Sequence, residues 1–124
     1  MERENILIVE DDEEILTLLE WSFNSEGYAV KKAKTLEELE ENIKSENIDI
    51  IFCDIFINGK NCIEDLKEIK NKYKNLKLIL STGFDEIEPE LKKLKFDYFM
   101  KPYKMEDVIS KIKSFSNVAS AQKN

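Results

Sequence analysis

A doubly wound α/β fold, with a five-stranded parallel sheet and helices on both faces, is what this sequence predicts. Short apolar runs alternate with longer stretches whose apolar residues recur at helical spacing, and parallel strands need such helical crossovers between them. The runs, Asp49 to Asp54 (DIIFCD) above all, are apolar throughout instead of alternating with polar residues, as strands buried on both faces are. Several of them also end abruptly in a charged or hydroxyl side chain, at the carboxyl edge where open α/β sheets place their ligands.

Asn5 to Glu10 (NILIVE) reads as the first strand. Asp11, Asp12, Glu13 and Glu14 follow at once, and carboxylates suit a helix amino terminus, where they meet the positive end of the macrodipole. Ile15, Leu18, Leu19 and Phe23 give that helix its apolar face, and Gly27 stops it. Ala29 to Ala33 is a weaker strand whose Lys31 and Lys32 suit a position near the sheet edge. Thr35 and Glu38 have capping-box spacing and open a helix with Leu36, Leu39 and Ile43 inward. The strand ending at Asp54 comes next, then a loop at Asn58 and Gly59. Asn61 with Glu64 suits the start of a helix faced by Ile63, Leu66, Ile69 and Tyr73. Lys77 to Ser81 is the fourth strand, ending in Thr82 and Gly83. Pro89 fits the first turn of a short helix containing Leu91 and Leu94. Tyr98 to Met100 is the fifth strand and runs into Lys101 and Pro102. Met105, Val108, Ile109, Ile112 and Phe115 stripe the last helix at 3.6-residue spacing. The small, polar tail of residues 117–124 is expected to fray.

One domain accounts for all 124 residues. Its formal charge of −7 disfavours nucleic acid and anionic membrane as partners. Cys53 and Cys62 lack metal-site spacing and read as packed thiols of a reducing compartment. No segment has the apolar length of a signal peptide or membrane span, so a cytoplasmic location is expected. The chain has no histidine, which excludes a histidine-based triad, a histidine zinc site and a phosphohistidine carrier.

Glu10 with Asp11 and Asp12, then Asp54, Thr82 and Lys101, all stand at strand ends that a parallel sheet brings to one edge. Clustered carboxylates raise one another's pKa, and a hard divalent cation bound by oxygens, Mg2+, neutralises them. A cation there could screen Asp54 from an incoming phosphoryl group, with Lys101 as a second positive charge and Thr82 as a donor to a phosphoryl oxygen. The chemistry implied is phosphoryl transfer onto Asp54. Each residue also has a plainer role available: Asp54 as a turn residue, Asp11 and Asp12 as helix-terminal acids, Lys101 as one lysine among many.

The motifs ILIVEDDEEI, DIIFCD, LILSTG and DYFMKP, in this order and each at a strand end, resemble the receiver domain of two-component response regulators over residues 4 to 116. The flavodoxin-like sheet order 2-1-3-4-5, whose known examples include a receiver protein, is taken from that resemblance. The resemblance implies that Asp54 is the phosphoacceptor, that Asp11 and Asp12 are the acidic metal-site pair, and that Phe56 lends its backbone carbonyl to Mg2+. It further implies that Thr82 is the switch hydroxyl, Lys101 the charge partner, and Tyr98 an aromatic switch whose ring turns inward when Thr82 moves. Such a domain is a signalling switch that catalyses its own phosphorylation and dephosphorylation, not a turnover enzyme. Its partners are a sensor histidine kinase or histidine phosphotransfer protein and a downstream protein effector, and a homodimer formed on phosphorylation is one form that docking could take. The chain would be either a free-standing receiver or one taken from a longer regulator.

Departures from the family pattern fall after Asp54, where Asn58 and Cys62 replace a common proline and glycine. Phe56 and Phe84 flank the site with rings that cannot orient an attacking water, so slow hydrolysis of the phosphorylated form is expected. Two other classes remain open: an adaptor that works without phosphorylation, and a Mg2+-dependent phosphatase, although the latter wants a second acid where Phe56 stands.

Overall fold

The computed structural model describes residues 4–123, with side chains to residue 115. Its strands and helices alternate: β1 Asn5–Val9, α1 Glu13–Ser25, β2 Ala29–Ala33, α2 Leu36–Ser45, β3 Ile50–Asp54, then a two-stranded hairpin of β4 Phe56–Ile57 and β5 Lys60–Asn61. After it come α3 Ile63–Lys72, β6 Lys77–Thr82, a 3-10 turn at Asp85–Ile87, α4 Glu88–Lys93, β7 Asp97–Met100 and α5 Met105–Lys123. Five strands form one parallel sheet in the order β2-β1-β3-β6-β7, the expected 2-1-3-4-5 order with the hairpin strands left out of the count.

Strand alternation divides the core in two. Leu7, Val9, Ile51, Cys53, Leu78 and Leu80 face the side covered by α2, α3 and α4. Ile6, Ile8, Ile50, Phe52 and Ile79 face α1 and α5. On that second face Phe52 meets Phe23 and Tyr103 edge-on, with ring centroids at 6.1 and 5.7 Å. The fully apolar character of β1 and β3 follows from burial on both sides.

Two details differ from the sequence expectation. In α1 the inward residues are Leu16, Leu19 and Phe23, flanked by Ile15, whereas Leu18 is 55% exposed beside Trp21 at 69%. At 100° per residue the i, i+3, i+7 line through Leu16 sets the core face and leaves Leu18 outside it. In α5 the helix runs through the stretch expected to fray, reaching Lys123, and Ala119 and Ala121 there have the highest helix propensity.

The hairpin was expected only as a loop. Asn58 and Gly59 take φ of 53° and 77°, the paired left-handed conformation that turns a two-residue hairpin. Proline, fixed at negative φ, could not occupy position 58 in this turn. Among the described residues no helix is long and apolar enough to cross a membrane.

Candidate functional site

The site is built by sheet register. Val9 lies opposite Cys53, so one further step along each strand brings Glu10 beside Asp54. Glu10 still belongs to the sheet edge, its N–H donating to Ala33 O at 3.0 Å. Asp54 pairs with Ser81 on β6, and Thr82 with Met100 on β7, so the remaining strand ends arrive on the same edge. Lys101, the residue after β7, donates its N–H to Thr82 O at 2.8 Å, which fixes its backbone against the end of β6.

Asp54 and Glu10 are both nearly buried, at 7% and 3% exposure, and share one cation. Lys101 Nζ lies 2.9 Å from Asp54 Oδ2 and 3.4 Å from Glu10 Oε1. Asp54 Oδ1 accepts from Phe56 N–H at 3.1 Å, so both oxygens of that carboxylate are held. Burial opposes the charge on Lys101, but the hydrogen bond and charge of Asp54, joined by Glu10, together outweigh it and raise its pKa. Burial pushes Glu10 up to about 7, against a lowering hydrogen bond from Asp12 N–H and with a further push from the Asp54 charge. One lysine thus leaves the pair of carboxylates with surplus negative charge.

The neighbouring acids divide their work. Asp11 Oδ2 accepts from Asn58 N–H at 2.7 Å, and this bond, first among the causes, lowers the Asp11 pKa. Carboxylate oxygens of Glu10, Asp11 and Asp54 gather within 4.8 Å of one another. Asp12 is turned elsewhere: its Oδ1 accepts from Glu14 N–H and Ile15 N–H at 2.9 and 3.2 Å, making it the N-cap of α1. The acidic group at the sheet edge is therefore Glu10, Asp11 and Asp54; the strand-end reading of the sequence had named Glu10 beside Asp11 and Asp12, and the family resemblance had implied Asp11 and Asp12 as the pair. Counting from the apolar run separates the two: Glu10 is the first polar residue past ILIV, as Asp54 is past IIFC.

Phe56 is placed to offer a main-chain oxygen. Cys62 N–H donates to Ile55 O at 2.8 Å, which makes Ile55 and Cys62 a bonded pair of the hairpin. The next pair, Phe56 and Asn61, is then a non-bonded one, and the Phe56 carbonyl stays out of the ladder. The three gathered carboxylates form an all-oxygen set suited to a hard divalent cation.

Thr82 is fully buried and its Oγ1 accepts from Phe84 N–H at 3.1 Å, leaving the hydroxyl hydrogen available. The Phe56 and Phe84 rings, each two residues after a site residue, meet at 4.3 Å between centroids, and Phe84 is 51% exposed. Tyr98 stands apart from these groups: its hydroxyl donates to Glu88 Oε2 at 2.6 Å. Sequence reading did not single out Glu88.

A family model described as the response regulator receiver domain matches residues 6–113. Sporulation initiation phosphotransferase F of Bacillus subtilis is 31% identical over 118 residues, covering 93% of this chain and 95% of that protein. A CheY-like receiver domain protein from Methanospirillum hungatei superimposes with a TM-score of 0.85 at 28% identity, over 98% of this chain and 99% of that one. Response regulator protein TrrA from Thermotoga maritima, solved in complex with Mg2+ and beryllofluoride, gives 0.80 at 29% identity, over 90% of this chain and 97% of its own.

Proposed function

The chain belongs to the response regulator receiver family, and on that premise we propose that it accepts a phosphoryl group on Asp54 and thereby switches a protein-binding surface. Receiver domains are signalling domains, not turnover enzymes, and membership implies a histidine kinase as partner. The finer reading is that a sensor kinase or a histidine phosphotransfer protein presents phosphohistidine in the cytoplasm. An Asp54 oxygen forms the new bond to phosphorus as the bond from phosphorus to the imidazole nitrogen breaks, and the freed imidazole takes up a proton. One observation carries this reading: the Lys101 ammonium is shared between Asp54 and Glu10 on a nearly buried sheet edge. It supports the reading because a carboxylate beside a fixed positive charge has a partner that can follow the transferred oxygens.

The remaining roles follow from position. Phe56 N–H fixes the orientation of the Asp54 carboxylate. Thr82 has a hydroxyl hydrogen to give a phosphoryl oxygen. The donor set of Glu10, Asp11, Asp54 and the Phe56 carbonyl fits Mg2+, which when bound would supply charge neutralisation at the phosphoryl oxygens. Asp12, engaged in capping α1, is left out of this set. Because Lys101 N–H is bonded to Thr82 O, movement of either is felt at the ends of both β6 and β7. The surface of α4, β7 and α5 would then dock a downstream protein.

Phosphoramidate carries the same phosphorus–nitrogen bond as phosphohistidine and tests the reading. The protein should take a phosphoryl group from it in the presence of Mg2+ and not without the metal. Failure to do so by folded protein with Mg2+ bound would sink the proposal in favour of a phosphorylation-independent adaptor.

Lifetime is the second testable property. Neither Phe56 nor Phe84 can hydrogen-bond an attacking water, and their rings pack on one another two residues beyond Asp54 and Thr82. Replacing both by glutamine should speed loss of the phosphoryl group roughly tenfold, since a positioned polar group can then assist the water. Decay followed by intact mass that is equally fast in both proteins would remove the water-exclusion role.

A further inference from the structure

Helix α4 is a six-residue element held at each end by a side chain from elsewhere in the fold. At its carboxyl end Lys70 Nζ, from α3, lies 3.4 and 3.1 Å from the carbonyl oxygens of Leu94 and Lys95 and 4.5 Å from the Phe96 ring centre. At its amino end Glu88, the first residue of α4, accepts the Tyr98 hydroxyl at 2.6 Å, a short charge-assisted bond that ties the helix to β7. Between these ends, Leu91 is fully buried and Tyr98 packs against the cluster that contains it. The amino end is the one next to the site, joined to Thr82 through Phe84 and the Asp85–Ile87 turn.

We infer that Glu88 is a positioning residue that holds Tyr98 in its resting orientation and so sets how readily Asp54 takes on a phosphoryl group. This rests on the phosphoacceptor reading above. Moving Thr82 toward Asp54 gives up the Phe84 N–H bond. Any shift of α4 against β7, or any inward turn of the Tyr98 ring, gives up the Glu88 bond. The second bond involves no side chain of the phosphoacceptor site, so its removal favours the switched arrangement without altering the groups that would contact the phosphoryl. By linkage, whatever favours that arrangement raises the affinity for a phosphoryl-like ligand by the same factor.

The test uses beryllofluoride with Mg2+ as a phosphoryl mimic, titrated by NMR into the wild-type protein, Glu88→Ala, Glu88→Gln, Tyr98→Phe and the double variant Glu88→Ala with Tyr98→Phe. Affinity should rise about three- to tenfold in Glu88→Ala, the scale of one net hydrogen bond in a part-buried position, and less in Glu88→Gln, whose amide still accepts. Tyr98→Phe should show a comparable gain, and adding Glu88→Ala to it should change nothing further. Unchanged affinity in Glu88→Ala overturns the inference. So does an equal further gain from Glu88→Ala in the Tyr98→Phe background, because the effect would then arise within α4 and not through the tyrosine. A wild-type protein that binds Mg2+ but no beryllofluoride would remove the phosphoacceptor reading itself, a result distinct from both.

Discussion

Replacing Lys101 by methionine is expected to slow phosphoryl uptake on the order of a hundredfold, the scale set by removing one preorganised charged donor from a reacting centre. Methionine retains an unbranched side chain of similar reach and loses only the ammonium. Lys101 Nζ is the sole cation bonded to Asp54 among the described residues, at 2.9 Å, and it also meets Glu10 at 3.4 Å. Without it the two nearly buried carboxylates face one another uncompensated, and Glu10, already raised to about 7, is driven further toward its protonated form. The loss should therefore combine weaker stabilisation of the transferred oxygens with a changed charge at the metal-binding edge. Rates measured by intact mass at saturating donor and Mg2+ would check it. A Lys101→Met rate within about threefold of wild type would mean that the lysine is an ordinary ion-pair partner.

Asp11→Asn should weaken Mg2+ binding at least about tenfold, while Asp12→Asn should leave it within twofold. Asp11 belongs to the oxygen cluster and is held in place by Asn58 N–H. Asp12 caps α1, and asparagine serves as an N-cap as well as aspartate does, so helix stability is preserved in that variant. Calorimetric titration with Mg2+ separates the two. Loss of binding in both variants would restore the Asp11 and Asp12 pairing implied by the family resemblance and contradict an arrangement in which Asp12 only caps α1.

Asp54, Thr82 and Lys101 were legible because each closes an apolar run, and a parallel sheet brings all such ends to one edge. Within the run Glu10-Asp11-Asp12-Glu13-Glu14, however, every residue is acidic, and composition does not distinguish a sheet-edge carboxylate from a helix cap. Register does, and register between β1 and β3 is a property of hydrogen bonds between distant segments. The hairpin of Phe56–Ile57 with Lys60–Asn61 was hidden for another reason: two residues per strand are too few to display alternation, although Asn58-Gly59 is a strong turn signal. Leu18 was misplaced because Ile15, Leu16, Leu18 and Leu19 populate more than one face of α1. The Glu88 to Tyr98 bond joins residues ten apart on a short helix and a strand, and nothing in local spacing announces it.

Intact mass after incubation with an acyl-phosphate donor, with and without Mg2+ and beside Asp54→Asn, tests the central claim most directly. The expected result is a gain of one phosphoryl group that requires both the metal and Asp54. A gain that persists in Asp54→Asn, or none at all in folded wild-type protein with Mg2+ bound, would contradict it.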